Sequence, residues 1–300
     1  MQHGVPQTLA NLSIEPNELV TYKVAYEDDQ ILVVVKPARV VTLPGKGHDR
    51  NTLLNGLFAK YGNVLQNMGR EKEFGLLHRL DRETSGLVIV ALRPSAYDHL
   101  VEMFKSRRVA KFYWALVQEA PKRPSGVIQK PIAEKTMRKG GRHGPVMKLA
   151  RISNLGKPAA TAYRVLESSR LATLLECRAI TGKLHQLRVH LTSIGCPILG
   201  DDIYGPESVR DASPRLALHA HRVAFPHPSG GIVDVRVPWP ADLRGVLKRL
   251  GIAKPDNTKA AAAPIEEAEL AAQASGIDGT DEIESDGIGD EEPLLGEDEA

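Results

Sequence analysis

Six consecutive apolar residues, Leu87 to Leu92, make a run too short for a free-standing helix, and their unbroken apolarity predicts a strand covered on both faces. Thr84-Ser85-Gly86 supplies the turn into it. Ile31 to Val35 predicts a second strand, followed by a turn-rich stretch containing Pro37, Pro44, Gly45 and Gly47. Lys111 to Val117 alternates, which places Tyr113, Ala115 and Val117 on one face of a third strand. Two more alternating stretches run from Tyr163 to Val165 and from Leu171 to Ala179. Helical spacing enters twice. Ser95 can cap a helix whose Ala96, Leu100, Val101 and Phe104 share an apolar face, with Lys105, Arg107 and Arg108 complementing the dipole at its end. Leu184 to Ile194 predicts a second helix, closed by Gly195 and Pro197. The two periods together predict an α+β domain and nothing finer.

Two segments carry neither period. Residues 1–20 form a polar leader, expected to be an irregular N-terminal arm. Residues 134–148 are basic and glycine-rich and cannot build core; a solvated mobile loop and an electrostatic clamp on RNA are equally good readings of them.

Charge changes this picture more than composition does. The formal net charge of +2 hides two opposite halves: residues 254–300 carry fifteen Asp and Glu against two Lys, leaving 37 basic and 22 acidic groups in residues 1–253. The patterned part is therefore strongly basic, the sign expected of a protein that binds phosphate backbones. The acidic tail, poor in aromatics, is expected to be disordered and solubilising, with folding back over the basic region as the alternative. Cys177 and Cys196 are isolated, giving neither a disulfide framework nor a zinc site. No signal peptide and no apolar stretch near eighteen residues is found, so a cytoplasmic protein with no membrane partner is expected.

The candidate chemistry lies just ahead of the first strand. In His78-Arg79-Leu80-Asp81-Arg82-Glu83-Thr84, one carboxylate stands between two arginines on a short loop, where neighbouring guanidinium groups would favour its ionised form. A metal reading of His185 and His190 fails on spacing, since helical zinc pairs want four residues and a Glu between them. No dinucleotide fingerprint or phosphate-binding glycine loop occurs, and the His-x-Glu with Pro-Cys-x-x-Cys of a nucleobase deaminase is missing.

Taken in order, His78-Arg79-Leu80-Asp81 with Thr84-Ser85-Gly86, Lys111-Phe112-Tyr113, Gly182-Lys183-Leu184-His185-Gln186-Leu187-Arg188-Val189-His190, and Gly195-Cys196-Pro197-Ile198-Leu199-Gly200-Asp201-Asp202-Ile203-Tyr204 resemble the motifs of the RluA family of RNA pseudouridine synthases. Weaker family-like stretches bracket them, so the resemblance covers roughly residues 22 to 245. It implies a catalytic domain over 21–253 with the pseudouridine synthase fold, a mixed, largely antiparallel sheet with flanking helices and a central basic cleft.

The implied reaction is isomerisation of uridine in ribosomal or transfer RNA to pseudouridine, with no cofactor and no metal. Asp81 would be indispensable, attacking the sugar or the pyrimidine or taking a ribose proton. Tyr113 would lie against the target base, and Arg188 matches the basic residue that pairs with the catalytic Asp. Arg79 would fill the space left by the flipped-out nucleotide. Arg82, Lys111, Lys183, His185 and Gln186 are the other expected RNA contacts; Lys183, where many relatives have Arg, keeps the charge but not the bidentate fork. His78 is expected to be a satisfied polar residue at the strand end rather than a phosphate contact. The implied partner is RNA, with large-subunit ribosomal RNA favoured as target and a monomer expected. A non-catalytic RNA-binding or ribosome-assembly protein is the alternative, but it would not need Asp81, Tyr113 and Arg188 together.

Overall fold

The computed structural model describes residues 12–45, 47–138 and 146–255. The acidic tail beyond Pro255, the first part of the N-terminal arm and the centre of the basic segment lie outside the described residues.

The elements in chain order are β1 (Lys23–Glu27), β2 (Ile31–Lys36), α1 (Leu53–Met68), β3 (Ser85–Ala91), α2 (Pro94–Lys105), β4 (Ala110–Val117), β5 (Ser125–Gln129), β6 (Ile132–Arg138), β7 (Val146–Ile152), β8 (Ala160–Ser168), β9 (Thr173–Ala179), α3 (Gln186–Thr192), α4 (Glu207–Arg210), β10 (Leu218–Pro226), β11 (Ile232–Arg236) and α5 (Arg244–Leu250). One sheet runs β1-β2-β3-β10-β4-β9-β8-β5, with β11 paired to β10. Its pairs are antiparallel except β3 with β10, which is parallel. The sheet is thus mixed and largely antiparallel, as expected.

Burial explains the unbroken apolar run. β3 is buried at every position because its alternate residues enter two cores. Val88 and Val90 join Leu32 and Val34 under Leu54, Leu57 and Phe58 of α1, while Leu87 and Ile89 join Ile31 and Val33 against Ala96, Leu100 and Phe104 of α2. Helix α2 begins one residue before the expected cap: Arg93 is the extended cap residue, Pro94 occupies the first turn, and no side chain caps the end. Helix α1 follows the turn-rich stretch. Thr52 and Asn55 form a reciprocal cap there, the Thr52 hydroxyl accepting the Asn55 N–H and the Asn55 side chain accepting the Thr52 N–H.

The described part of the arm, from Leu12 onward, is irregular but docked. Ile14 is buried in the α1 core, Ser13 N–H donates to the Gln66 side chain at 2.7 Å, and Asn17 N–H donates to the Asn55 carbonyl at 3.0 Å. The basic segment differs more from expectation. Its flanks are not loop: β6 and β7 form a separate two-stranded antiparallel hairpin, registered from Ile132 opposite Ile152 to Arg138 opposite Val146. Most of β6 is solvent-exposed, so its backbone is satisfied by pairing without an apolar face to bury.

At the centre of the sheet, Gly86 of β3, Ala220 of β10 and Tyr113 of β4 stand side by side in register. Gly86 has φ +126°, and a Cβ built there would lie 2.2 Å from the Ala220 carbonyl oxygen, so only glycine lets β3 come this close. That contact sets the Asp81 loop, which ends where β3 begins, above Tyr113.

Candidate active site

The Asp81 loop is held by its backbone, which leaves its side chains free to act. The Thr42 hydroxyl donates to the Leu80 carbonyl at 2.8 Å and accepts the Leu80 N–H at 3.2 Å. Thr84 N–H closes the turn onto the Asp81 carbonyl at 3.1 Å. The Arg82 carbonyl accepts the Arg39 N–H at 2.7 Å and lies 3.3 Å from Nζ of the fully buried Lys36, which also donates to the Pro37 and Val40 carbonyls. Burial pulls the pKa of Lys36 down to about 7, against the pull of Asp81 and Glu83. At the start of the loop His78 Nε2 accepts the Ile89 N–H at 3.1 Å. Burial, helped by the Lys111 charge, holds the His78 pKa down to about 3. His78 is therefore the neutral, satisfied residue at the strand end that the sequence suggested.

A cleft of about 260 Å³ opens beside this loop. Asp81, Tyr113 and Arg188 all line it, with Arg79, Lys111, Lys183, His185 and Gln186. Arg82 does not; it points its side chain to solvent near Glu83. Arg79 is exposed at the rim, and Lys111 is buried with its ammonium 5.1 Å from the Phe104 ring centroid. Lys111 thus contributes its charge from the cleft wall, stacked on α2.

Two of the expected roles change. The direct partner of Arg188 is Asp201: Nε lies 2.9 Å from Oδ2 and the terminal nitrogen 2.7 Å from Oδ1, with both side chains out of contact with water. Burial opposes the Arg188 charge, but Asp201, with smaller help from Asp81 and Tyr204, holds its pKa above the ordinary value. Asp81 therefore feels Arg188 through its field, while Asp201 fixes the guanidinium. Gln186 is buried and fully engaged within the protein. Its amide donates to the Ala160 carbonyl at 2.9 Å and the Thr161 hydroxyl at 3.0 Å, and accepts the Thr181 hydroxyl at 2.6 Å and the Lys183 N–H at 3.1 Å. With two donors and two acceptor positions used, Gln186 ties α3 to β8 and has nothing left for RNA.

The helix carrying Arg188 starts at Gln186, two residues later than its apolar pattern suggested, because His185 takes a left-handed conformation at φ +50°. His190 is likewise structural, bonded to the Thr161 hydroxyl and the Lys130 carbonyl at 2.9 Å each, and burial lowers its pKa to about 4. Among the described residues no group of His, Cys, Asp and Glu is arranged to hold a metal ion.

Sequence reasoning missed Glu73, Tyr97, Glu134 and Lys157, which also line the cleft. Glu73 and Phe74 both have positive φ, at +46° and +51°, a paired distortion that no motif signals. Lys157, between Gly156 and Pro158 just ahead of β8, lies in none of the four motifs. The site thus combines a partly exposed carboxylate, a phenol at the sheet centre and a clamped guanidinium in one cleft.

A family model for RNA pseudouridylate synthases matches residues 30–193, more than half of the chain and all of the Asp81, Tyr113 and Arg188 motifs. The chain belongs to this family. Relatives agree. A ribosomal large subunit pseudouridine synthase D of Nitrosomonas europaea is 39% identical over 243 residues, 78% of this chain and 66% of that one. An uncharacterized RNA pseudouridine synthase of Chloroflexus aurantiacus is 40% identical over 216 residues, 72% of this chain and 65% of that one. The match thus spans just under two thirds of the length of these two relatives. Among solved structures, human RNA pseudouridylate synthase domain containing 4 superposes with a TM-score of 0.60 at 26% identity, covering 78% of this chain and 95% of that one.

Proposed function

We propose that this protein converts uridine in RNA to pseudouridine, with Asp81 as the residue the reaction depends on. The observation that carries the reading is the convergence of Asp81, Tyr113 and Arg188, drawn from three separate motifs, on one cleft of a chain that belongs to the pseudouridylate synthase family. The N1–C1′ bond breaks, the uracil turns within the cleft and C5 bonds to C1′. C5 gives up its proton and N1 gains one, so the base is isomerised with no net change of atoms or electrons and no cofactor. Asp81 supplies the carboxylate for attack or for ribose proton removal, and Tyr113 lies against the turned base. Arg188, fixed by Asp201, brings its positive charge to the same cleft.

The target nucleotide is flipped out of its stack at a cost of a few kcal/mol, and we assign Arg79, exposed at the rim, to filling the gap. The names of the relatives favour large-subunit ribosomal RNA as substrate over transfer RNA. The test is a pseudouridine map of ribosomal and transfer RNA from cells lacking the protein, complemented with wild type or Asp81→Asn. Sites restored by the wild type alone establish the reaction and its substrate. Sites restored by Asp81→Asn as well would make the protein a binding or assembly factor.

A further inference from the structure

The hydroxyl of Tyr204 sits between the hairpin and the cleft. It accepts the backbone N–H of Ala150 on β7 at 2.9 Å and lies 2.7 Å from Nδ1 of His185. With Ala150 N–H donating to this oxygen, the one phenolic proton is available to His185 Nδ1. An imidazole that accepts at Nδ1 and is neutral carries its own proton on Nε2. The His185 ring is gripped on one side by Tyr204, whose ring meets it edge to face at 5.6 Å and 75°, while the Arg188 guanidinium lies 5.1 Å from the Tyr204 centroid. Asp201 completes the frame, accepting the Tyr204 N–H at 3.0 Å on the oxygen that also binds Arg188. His185 meanwhile lines the cleft with Asp81, and its left-handed backbone sets it apart from the helix that follows.

We propose that His185 presents Nε2–H as a hydrogen-bond donor to a carbonyl oxygen of the uracil in the cleft, and that Tyr204 is the positioning residue that fixes this tautomer. The proposal rests on the pseudouridine synthase reading for the identity of the ligand, but not for the tautomer. A neutral donor suits a neutral carbonyl; a phosphate would be better met by a cation, and the cleft has lysines and arginines for that purpose. The groups facing His185 are Tyr204, Asp81, Asp201, Arg188 and Arg79. Burial disfavours its charged form, outweighing the attraction of Asp81 and Asp201, and the two arginines act in the same direction as burial. Burial thus favours the neutral ring, which keeps Nδ1 able to accept.

The experiment has two parts. Long-range nitrogen–proton correlation spectra of the full-length protein, with 15N-labelled histidine and His185→Gln as the assignment control, read the tautomer without any RNA. A protonated Nε2 with an unprotonated Nδ1 is expected, and Tyr204→Phe should let the proton redistribute; a protonated Nδ1 in the wild type overturns the proposal. The second part compares His185→Gln, whose amide reaches as far as Nε2, with His185→Asn, whose amide reaches only as far as Nδ1. On uridine-containing RNA, His185→Gln should keep kcat at least tenfold above His185→Asn, a gap of about one hydrogen bond. Equal or reversed activities would overturn the donor role. Tyr204→Phe should lower kcat about tenfold and shift the acid limb of its pH profile upward, because the neutral ring has lost its donor. An unmoved profile would make Tyr204 merely structural. If the wild type leaves uridine unchanged, the functional reading fails, and the spectra together with RNA affinities of the Gln and Asn variants still decide the tautomer and the donor.

Discussion

Removing the guanidinium of Arg188 separates a scaffold role from a purely catalytic one. In Arg188→Met, Asp201 Oδ2 loses the Nε donor at 2.9 Å, and Oδ1 loses the 2.7 Å contact while keeping the Ile203 and Tyr204 N–H groups at 3.0 Å each. Breaking one side of a buried ion pair costs about 3–5 kcal/mol because the remaining charge stays buried without its partner. The two surviving backbone donors put this case near the lower end, about 3 kcal/mol, which for a domain of this size is a drop in Tm of roughly 6–12 °C. The variant should therefore be both less stable and less active, whereas Asp81→Asn, on a partly exposed loop residue, should lose activity with little change in Tm. Asp201→Asn turns an amide toward the guanidinium and should also destabilise. The double variant Arg188→Met/Asp201→Asn should cost less than the sum of the two by about 2 kcal/mol, as expected for residues in direct contact. Urea unfolding of the four proteins measures this. Strict additivity, or an Arg188→Met protein with unchanged stability, would refute the pairing with Asp201 and return Arg188 to Asp81 as its direct partner.

Two further outcomes are expected. His190 and His219 are buried and neutral, with burial lowering their pKa values from 6.5 to about 4 and about 3. A folded-state pKa below the unfolded one means the unfolded chain binds more protons between these values, so stability falls as pH drops below 6.5. Each should cost about 2 kcal/mol by pH 5, and a urea midpoint unchanged between pH 7 and pH 5 would contradict the assignment. Gly86→Ala forces a Cβ to within 2.2 Å of the Ala220 carbonyl oxygen at a φ of +126°. The combined strain and overpacking should destabilise by about 3–4 kcal/mol and lower activity by displacing the loop at the head of β3; a protein of wild-type stability would show that β3 and β10 do not approach this closely.

The parts of the fold that were legible in the sequence are those whose signal is local. The run Leu87 to Leu92 announced a strand buried on both faces because α1 and α2 cover it from opposite sides. Helix α1 carries a local signal, with Thr52 and Asn55 at its start and Leu53, Leu57, Phe58, Tyr61 and Leu65 at helical spacing, but the turn-rich stretch before it masks its beginning. The hairpin β6–β7 was not legible, since β6 is exposed along most of its length and leaves no alternation to read, while the packing of Ile132 and Ala150 with Val189 of α3 is a long-range contact that no local pattern signals.

The same division runs through the site. Asp81, Tyr113 and Arg188 were found because each sits in a dense motif, and the motifs said that they converge without saying what each touches. Arg188 and Asp201 are thirteen positions apart, both inside recognised motifs, yet only the fold shows that they bind each other. Gln186 and His185 are neighbours in one motif and take opposite roles, one knotted to Ala160 and Thr161 inside the protein, the other lining the cleft. What separates them is the left-handed turn at His185, which breaks the helix before it starts and lets adjacent side chains leave the backbone in different directions. A motif conserves the spacing of such residues along the chain; the backbone conformation at one of them decides which faces the substrate and which holds the site together.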